Sequence, residues 1–109
     1  MIKFYKLARY TEGGKQRTGF LREEGAFLPN NYGLELVAYR AEPVKGGDKT
    51  WYVVECSSGV GLSEGKTKNE AVRSLEEMVR KMGVEAIETA IERSIGKYGR
   101  TPDHEGVEI

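Results

Sequence analysis

The chain of 109 residues has one cysteine, one histidine, one tryptophan and three prolines, and its formal net charge is zero. A single thiol rules out an intrachain disulfide and fits a reducing, cytoplasmic compartment. The one histidine, His104, stands five residues before the end. Alone it cannot build a conventional metal or acid–base site, so no metal and no cofactor are expected. No apolar run approaches the roughly 20 residues that a membrane-spanning helix needs. The stretch MIKFYKLARY is broken by charge and lacks a signal-peptide core. No membrane partner is expected. Seventeen basic and 17 acidic side chains cancel, which argues against a protein that coats nucleic acid over its whole surface.

The clearest element is the stretch TKNEAVRSLEEMVRKMG, Thr67 to Gly83. Thr67 with Glu70 three residues on makes a capping box. Ala71, Val72, Leu75, Met78, Val79 and Met82 form one apolar stripe at helical spacing, and Gly83 is a stop. The pattern predicts a helix over 67–82. A second follows over 84–98, with Val84, Ile87, Ile91, Ile95 and Tyr98 on its stripe and Gly99 and Pro102 beyond its end.

Upstream the signals are those of strands. Residues 2–10 read as an aromatic-rich strand, and the two glycines of Glu12-Gly13-Gly14-Lys15 suit a tight hairpin turn. Residues 16–22 are the return strand. Gly25 and the Phe27–Gly33 stretch, FLPNNYG, read as a loop or irregular edge. Leu34–Ala41 is apolar on both faces and belongs centrally in a sheet. After Pro43, a second glycine turn, Lys45-Gly46-Gly47-Asp48-Lys49, leads to a strand over Thr50–Cys56 and a short one over Val60–Ser63. Strands followed by helices predict an α+β fold: a mostly antiparallel sheet of about five strands (2–63) with helices 67–82 and 84–98 on one face. Residues 1–102 form a single domain, and 103–109 a flexible acidic tail. The second sheet face, with aromatics such as Tyr39 or Trp51, is expected to stand open and to support a homodimer.

The zero net charge conceals an asymmetry. Lys3, Lys6, Arg9, Lys15, Arg17 and Arg22 stand against Glu12 alone in the first 22 residues, a net +5, so the rest of the chain carries −5. Aromatics are interleaved with these bases: Phe4, Tyr5, Tyr10 and Phe20. Lys and Arg contact phosphates while aromatic rings stack on bases, so Lys3, Tyr5, Lys6, Arg9, Tyr10 and Arg17 are candidate ligand-binding residues. Gly65-Lys66-Thr67 stands where a phosphate loop would open a helix. The full G-x-x-x-x-G-K-[ST] pattern, however, requires glycine at position 60, which is Val60. Lys66 and Thr67 therefore remain candidates for holding one anion at a helix N-terminus, without catalysis. Trp51 and Tyr52 are adjacent and face opposite sides of the sheet. Cys56, among apolar neighbours, reads as a buried structural thiol, and Glu55 as an outward-facing carboxylate.

Two families share fragments of this pattern. The Leu34–Met82 segment, with Gly65-Lys66-Thr67 and Glu70-Ala71, loosely resembles HicB-type antitoxin modules. The Lys66-Thr67-Lys68 helix start is similar to that of double-stranded-RNA-binding domains. The first pattern lacks its proline-bearing strand end near Ser57-Ser58. The second lacks its histidine loop, and Asn69, Glu70 and Glu76 dilute the basic helix start. No family is assigned.

The sequence thus points to a small non-catalytic binding protein for a phosphate-bearing ligand, a nucleotide or nucleic acid, held by the basic aromatic hairpin. The alternative is a protein-interaction module with a protein partner, such as a phage-type inhibitor or anti-defence protein or an antitoxin-like regulator.

Overall fold

A computed structural model describes residues 1–41 and 50–102. In chain order they form β1 (Ile2–Glu12), β2 (Lys15–Leu28), β3 (Leu36–Ala41), β4 (Thr50–Glu55), β5 (Gly61–Gly65), α1 (Lys68–Met82) and α2 (Val84–Tyr98). The strands make one antiparallel meander in the order β1-β2-β3-β4-β5. The two helices follow, so the fold is α+β. Pro43, the second glycine turn, His104 and the acidic tail lie outside the described residues. Among the described residues no helix is long and apolar enough to cross a membrane.

The β1–β2 hairpin closes at Gly13 and Gly14, whose φ values of 58° and 79° meet the demand of a two-residue hairpin turn. Its register runs from Glu12↔Lys15 to Ile2↔Gly25. β2 does not stop near residue 22 as its glycine suggests; it continues to Leu28. At Gly25 it leaves β1 and pairs with β3, beginning at Ala26↔Ala38. A Cβ at Gly25 would lie 2.5 Å from Val37 Cγ1 and 2.6 Å from the Ala38 carbonyl oxygen. The glycine marks a close strand crossing rather than a loop. The loop itself is confined to residues 29–35. There the Asn30 side chain donates to the carbonyls of Leu28 (3.0 Å) and Leu34 (2.9 Å) and accepts from the Tyr32 amide (3.0 Å).

β3 is buried on both faces from Leu36 to Tyr39, as its doubly apolar pattern predicts. Leu36 and Val53 face the helices. With Ala71, Leu75, Ile87 and Ile91 they form the first core, flanked by Trp51, Leu28, Met78, Val79 and Ile95. The opposite face carries Val37, Tyr39, Val54 and Cys56, and it is not open. The hairpin curls back across it, placing Phe4 in a second core. The Tyr39 ring packs 5.3 Å from Phe4 and 5.6 Å from Tyr52, and Tyr39 is only 6% exposed. The Leu7 amide donates to the Gly59 carbonyl (2.8 Å), which ties the outer edge of β1 to the turn after β4. The expectation that Tyr39 would lack a cover is therefore corrected, and the ground it offered for a homodimer disappears. The physical reason is the length of β2, which lets the chain cover its own second face. Trp51 lies on the other side, against the helix-side core, while Tyr52 faces the second.

α1 starts as its sequence implies. Thr67 Oγ1 accepts from the Glu70 amide (3.1 Å). The Glu70 carboxylate accepts from the Lys66 amide (2.9 Å), one residue earlier than in the usual reciprocal box. Ala71 and Leu75 are buried, whereas Met82, the last member of the stripe, is 57% exposed. Thr67→Ala is expected to lower stability by about 1 kcal/mol, the usual loss for a capping hydroxyl. Coincident denaturant melts would show that the cap contributes nothing. α2 sinks Ile87 and Ile91 into the first core. Beyond it the Thr101 amide donates to the Ser57 carbonyl (2.9 Å) and Thr101 Oγ1 to the Cys56 carbonyl (2.8 Å).

Candidate functional site

Alternation along a strand sorts the hairpin side chains by register. Lys3 stands opposite Glu24, Tyr5 opposite Arg22, Leu7 opposite Phe20 and Arg9 opposite Thr18. These residues continue the helix-side face of the sheet, through Ala26 and Leu28 of the same strand. α1 packs on β5, β4 and β3, and α2 joins it in the core with Leu36 and Val53; neither helix packs substantially on the β1–β2 hairpin. The Arg22 guanidinium sits over the Tyr5 ring, 5.9 Å from its centroid, within cation–π range. Lys3, Arg9 and Arg22 are exposed and make no ion pair with any described residue.

The remaining hairpin candidates point the other way. Lys6, Tyr10 and Arg17 share the inner face with Ala8, Gly19 and Glu23. Lys6 Nζ is 2.8 Å from Glu23 and 5.0 Å from the centroid of the Tyr39 ring. Burial pulls the Lys6 ammonium down, but the Glu23 carboxylate and the Tyr39 phenol outweigh it and hold the group above its ordinary value. Burial likewise pushes the Tyr39 phenol up, more than Lys6 draws it down. Near neutrality this is a charged lysine roofing a neutral tyrosine, already satisfied by its own carboxylate. Arg17 lies 3.8 Å from Glu12, and the Tyr10 ring packs over Gly19. The structure thus gathers Lys3, Tyr5 and Arg9 on one face and sends Lys6, Tyr10 and Arg17 to the other. Residues of one strand that are an odd number apart cannot share a face.

Lys66 and Thr67 stand apart, at the start of α1. The donors an anion would use there are engaged internally, since Glu70 places its own carboxylate on the Lys66 amide and Thr67 caps the Glu70 amide.

The turn after β4 departs from the strand pattern that leads into it. Glu55 is 3% exposed, not outward-facing. Its carboxylate accepts from the Ser57 amide (2.8 Å) and hydroxyl (2.7 Å) and from the Ser58 amide (3.0 Å) and hydroxyl (2.8 Å). A strand carboxylate is expected to face outward; the register instead sets Glu55 opposite Leu36 on the helix-side face, and the chain turns at Ser57 and wraps donors around it. Cys56 is buried, and burial, followed by the charges of Glu55 and Glu35, pushes its thiol up to about 12. It is a protonated core thiol near neutrality. Among the described residues no group of three or more His, Cys, Asp or Glu could hold a metal ion.

The fold and this face define an α+β chain with an uncovered basic and aromatic half-sheet. No protein-family model, curated protein or solved structure matches the chain.

Proposed function

We propose that this protein is a non-catalytic binding protein for a phosphate-bearing ligand, which it engages through the helix-side face of the β1–β2 hairpin. The observation that carries this reading is the sorting of charge by register. Lys3, Arg9 and Arg22 share one face with Tyr5 and Phe20, and Glu24 is the one carboxylate among them. Of the bases on the other face, Lys6 and Arg17 stand beside carboxylates. Three cations with no ion-pair partner among the described residues focus a positive field on one surface, and the adjacent rings offer stacking of about 1–3 kcal/mol per base. Lys3 and Arg9 are six residues apart, roughly 20 Å along a strand. That span exceeds one nucleotide and favours a nucleic acid.

The test is a titration with short RNA, short DNA and a nucleotide mixture at two salt concentrations. Replacing Arg9 and Arg22 together with Ala is expected to weaken binding of the polymers about tenfold or more at low salt. The slope of log affinity against log salt should flatten by roughly 0.7 for each phosphate that is no longer neutralised. Arg17→Ala, on the opposite face, is expected to bind as wild type. Absence of any binding by wild type at low salt would remove this reading and leave the protein-interaction module in its place.

A further inference from the structure

We infer that the ligand face does not end at the hairpin but crosses the sheet to Trp51, and that its occupant is a single-stranded nucleic acid. This inference rests on the binding reading above and extends it. From Arg22 and Glu24 the same face of β2 runs on to Ala26, which pairs with Ala38 of β3; two residues further along β3, Arg40 pairs with Trp51 of β4. Helix-side alternation places Ala26, Ala38, Arg40 and Trp51 on the face that carries Tyr5 and Arg22. They border an open cavity of about 380 Å³, with Met1 and Glu24 on its hairpin side.

The floor of this cavity is made of small side chains. Ala38 is fully buried and Ala26 partly so, and the part of the floor that a planar ring could touch is the Ala26 methyl group, between Trp51 and the hairpin. Trp51 is half-buried: one part of the indole packs on the helix-side core and the rest edges the cavity. Arg40 is exposed and makes no ion pair with any described residue. Among the described residues the face therefore carries Lys3, Arg9, Arg22 and Arg40 against Glu24, with Tyr5, Phe20 and Trp51 among them. Through the pairings of β1 with β2, β2 with β3 and β3 with β4 the face reaches Trp51, which adds to the span along the hairpin. A track of that length suits several nucleotides, within the roughly 4–16 that small single-strand-binding folds cover.

The occupant follows from the chemistry of the surface. Aromatic rings flat on a sheet stack on bases that are splayed out, and duplex bases are already stacked on each other and hidden from such a surface. By register Arg22 pairs with Tyr5 and Arg40 with Trp51, so a sugar–phosphate backbone running past stacked bases would meet a cation beside each of these rings.

Trp51 is the only tryptophan in the chain, so its emission reports on the far end of the track without any label. The experiment titrates wild type and Arg40→Glu with oligothymidylates of about 4 and about 12 nucleotides, lengths that bracket a short and a long single-strand site. Binding is read by anisotropy of a labelled oligonucleotide and by Trp51 fluorescence. The longer oligonucleotide is expected to quench Trp51, and Arg40→Glu to weaken it tenfold or more while changing the shorter one little. Oligonucleotide binding with Trp51 emission unchanged, or with Arg40→Glu binding the longer oligonucleotide as wild type, ends the track at the hairpin and leaves the hairpin reading intact. Duplex DNA of equal length binding as tightly as the single strand removes the single-strand assignment. If no oligonucleotide binds wild type at low salt, this inference falls together with the reading it rests on.

Discussion

Replacing Glu55 with Ala is expected to lower stability by about 3–5 kcal/mol, an effect in the range seen when one partner of a buried charged network is removed. The carboxylate takes hydrogen bonds from two backbone amides and two hydroxyls within three residues. Without it, the buried donors of Ser58 and the part-buried donors of Ser57 lose their acceptor, and each orphaned buried group costs about 1–3 kcal/mol. The turn also holds distant parts of the chain. The Cys56 amide donates to the Glu35 carbonyl, Leu7 donates to Gly59, and Thr101 donates to Ser57 and Cys56. Hydrogen exchange at Leu7, Ser58 and Thr101 should therefore quicken together in the variant. Glu55→Gln keeps the shape and one acceptor oxygen, so it should lose an intermediate amount. Denaturant melts placing Glu55→Ala within 1 kcal/mol of wild type would mean that the turn holds itself without the carboxylate.

Gly59→Ala is expected to cost about 2–4 kcal/mol and to loosen β1. Two effects add. Gly59 has φ +75°, a backbone conformation that an L-residue adopts at a cost of about 1–2 kcal/mol. A Cβ there would also lie 2.7 Å from the Leu7 amide nitrogen and 3.1 Å from the Lys6 carbonyl carbon and the Tyr5 carbonyl oxygen. All three are backbone atoms of β1 and cannot swing aside, so the strand must retreat; overpacking of this kind costs about 1–3 kcal/mol. Phe4 would retreat with it and uncover Tyr39. Gly61→Ala, two residues away, meets nothing within 4 Å and serves as the control. Equal melts for the two variants would show that β1 is not held at this point.

Elements with local signals were legible in the residues. The α1 cap needs only Thr67 and Glu70, the hairpin turn only Gly13 and Gly14, and the apolar stripes of both helices repeat within a few residues. β3 announced its central place because Leu36, Val37, Ala38 and Tyr39 are apolar in succession. Gly25 misled, because a glycine in a close strand crossing has the same local signature as one in a loop; what distinguishes them is Val37, far along the chain on the neighbouring strand. Glu55 misled for a related reason, since the donors that surround it come from a turn that reverses the chain immediately after the strand.

The candidate site shows the same division. The cluster of bases and aromatic residues in the first 22 positions is a property of the sequence and visible there. Which of them act together is not, because the answer depends on register. Pairing Tyr5 with Arg22 and Phe20 with Leu7 puts Lys3 and Arg9 on one face and Lys6 and Arg17 on the other. Arg40 carried no signal at all until β2 was seen to bring Ala26 beside Ala38.

By itself, the sequence determined the order of elements, the class of fold, the capped helix and the positive charge of the N-terminal end, since each follows from neighbours along the chain. Only the tertiary structure decided that the hairpin folds back over Tyr39, that Glu55 is buried, and that Trp51 and Arg40 join the hairpin on one face. Those outcomes depend on strand pairings between residues far apart in sequence, where shifting the register by one position would turn every side chain to the opposite side of the sheet.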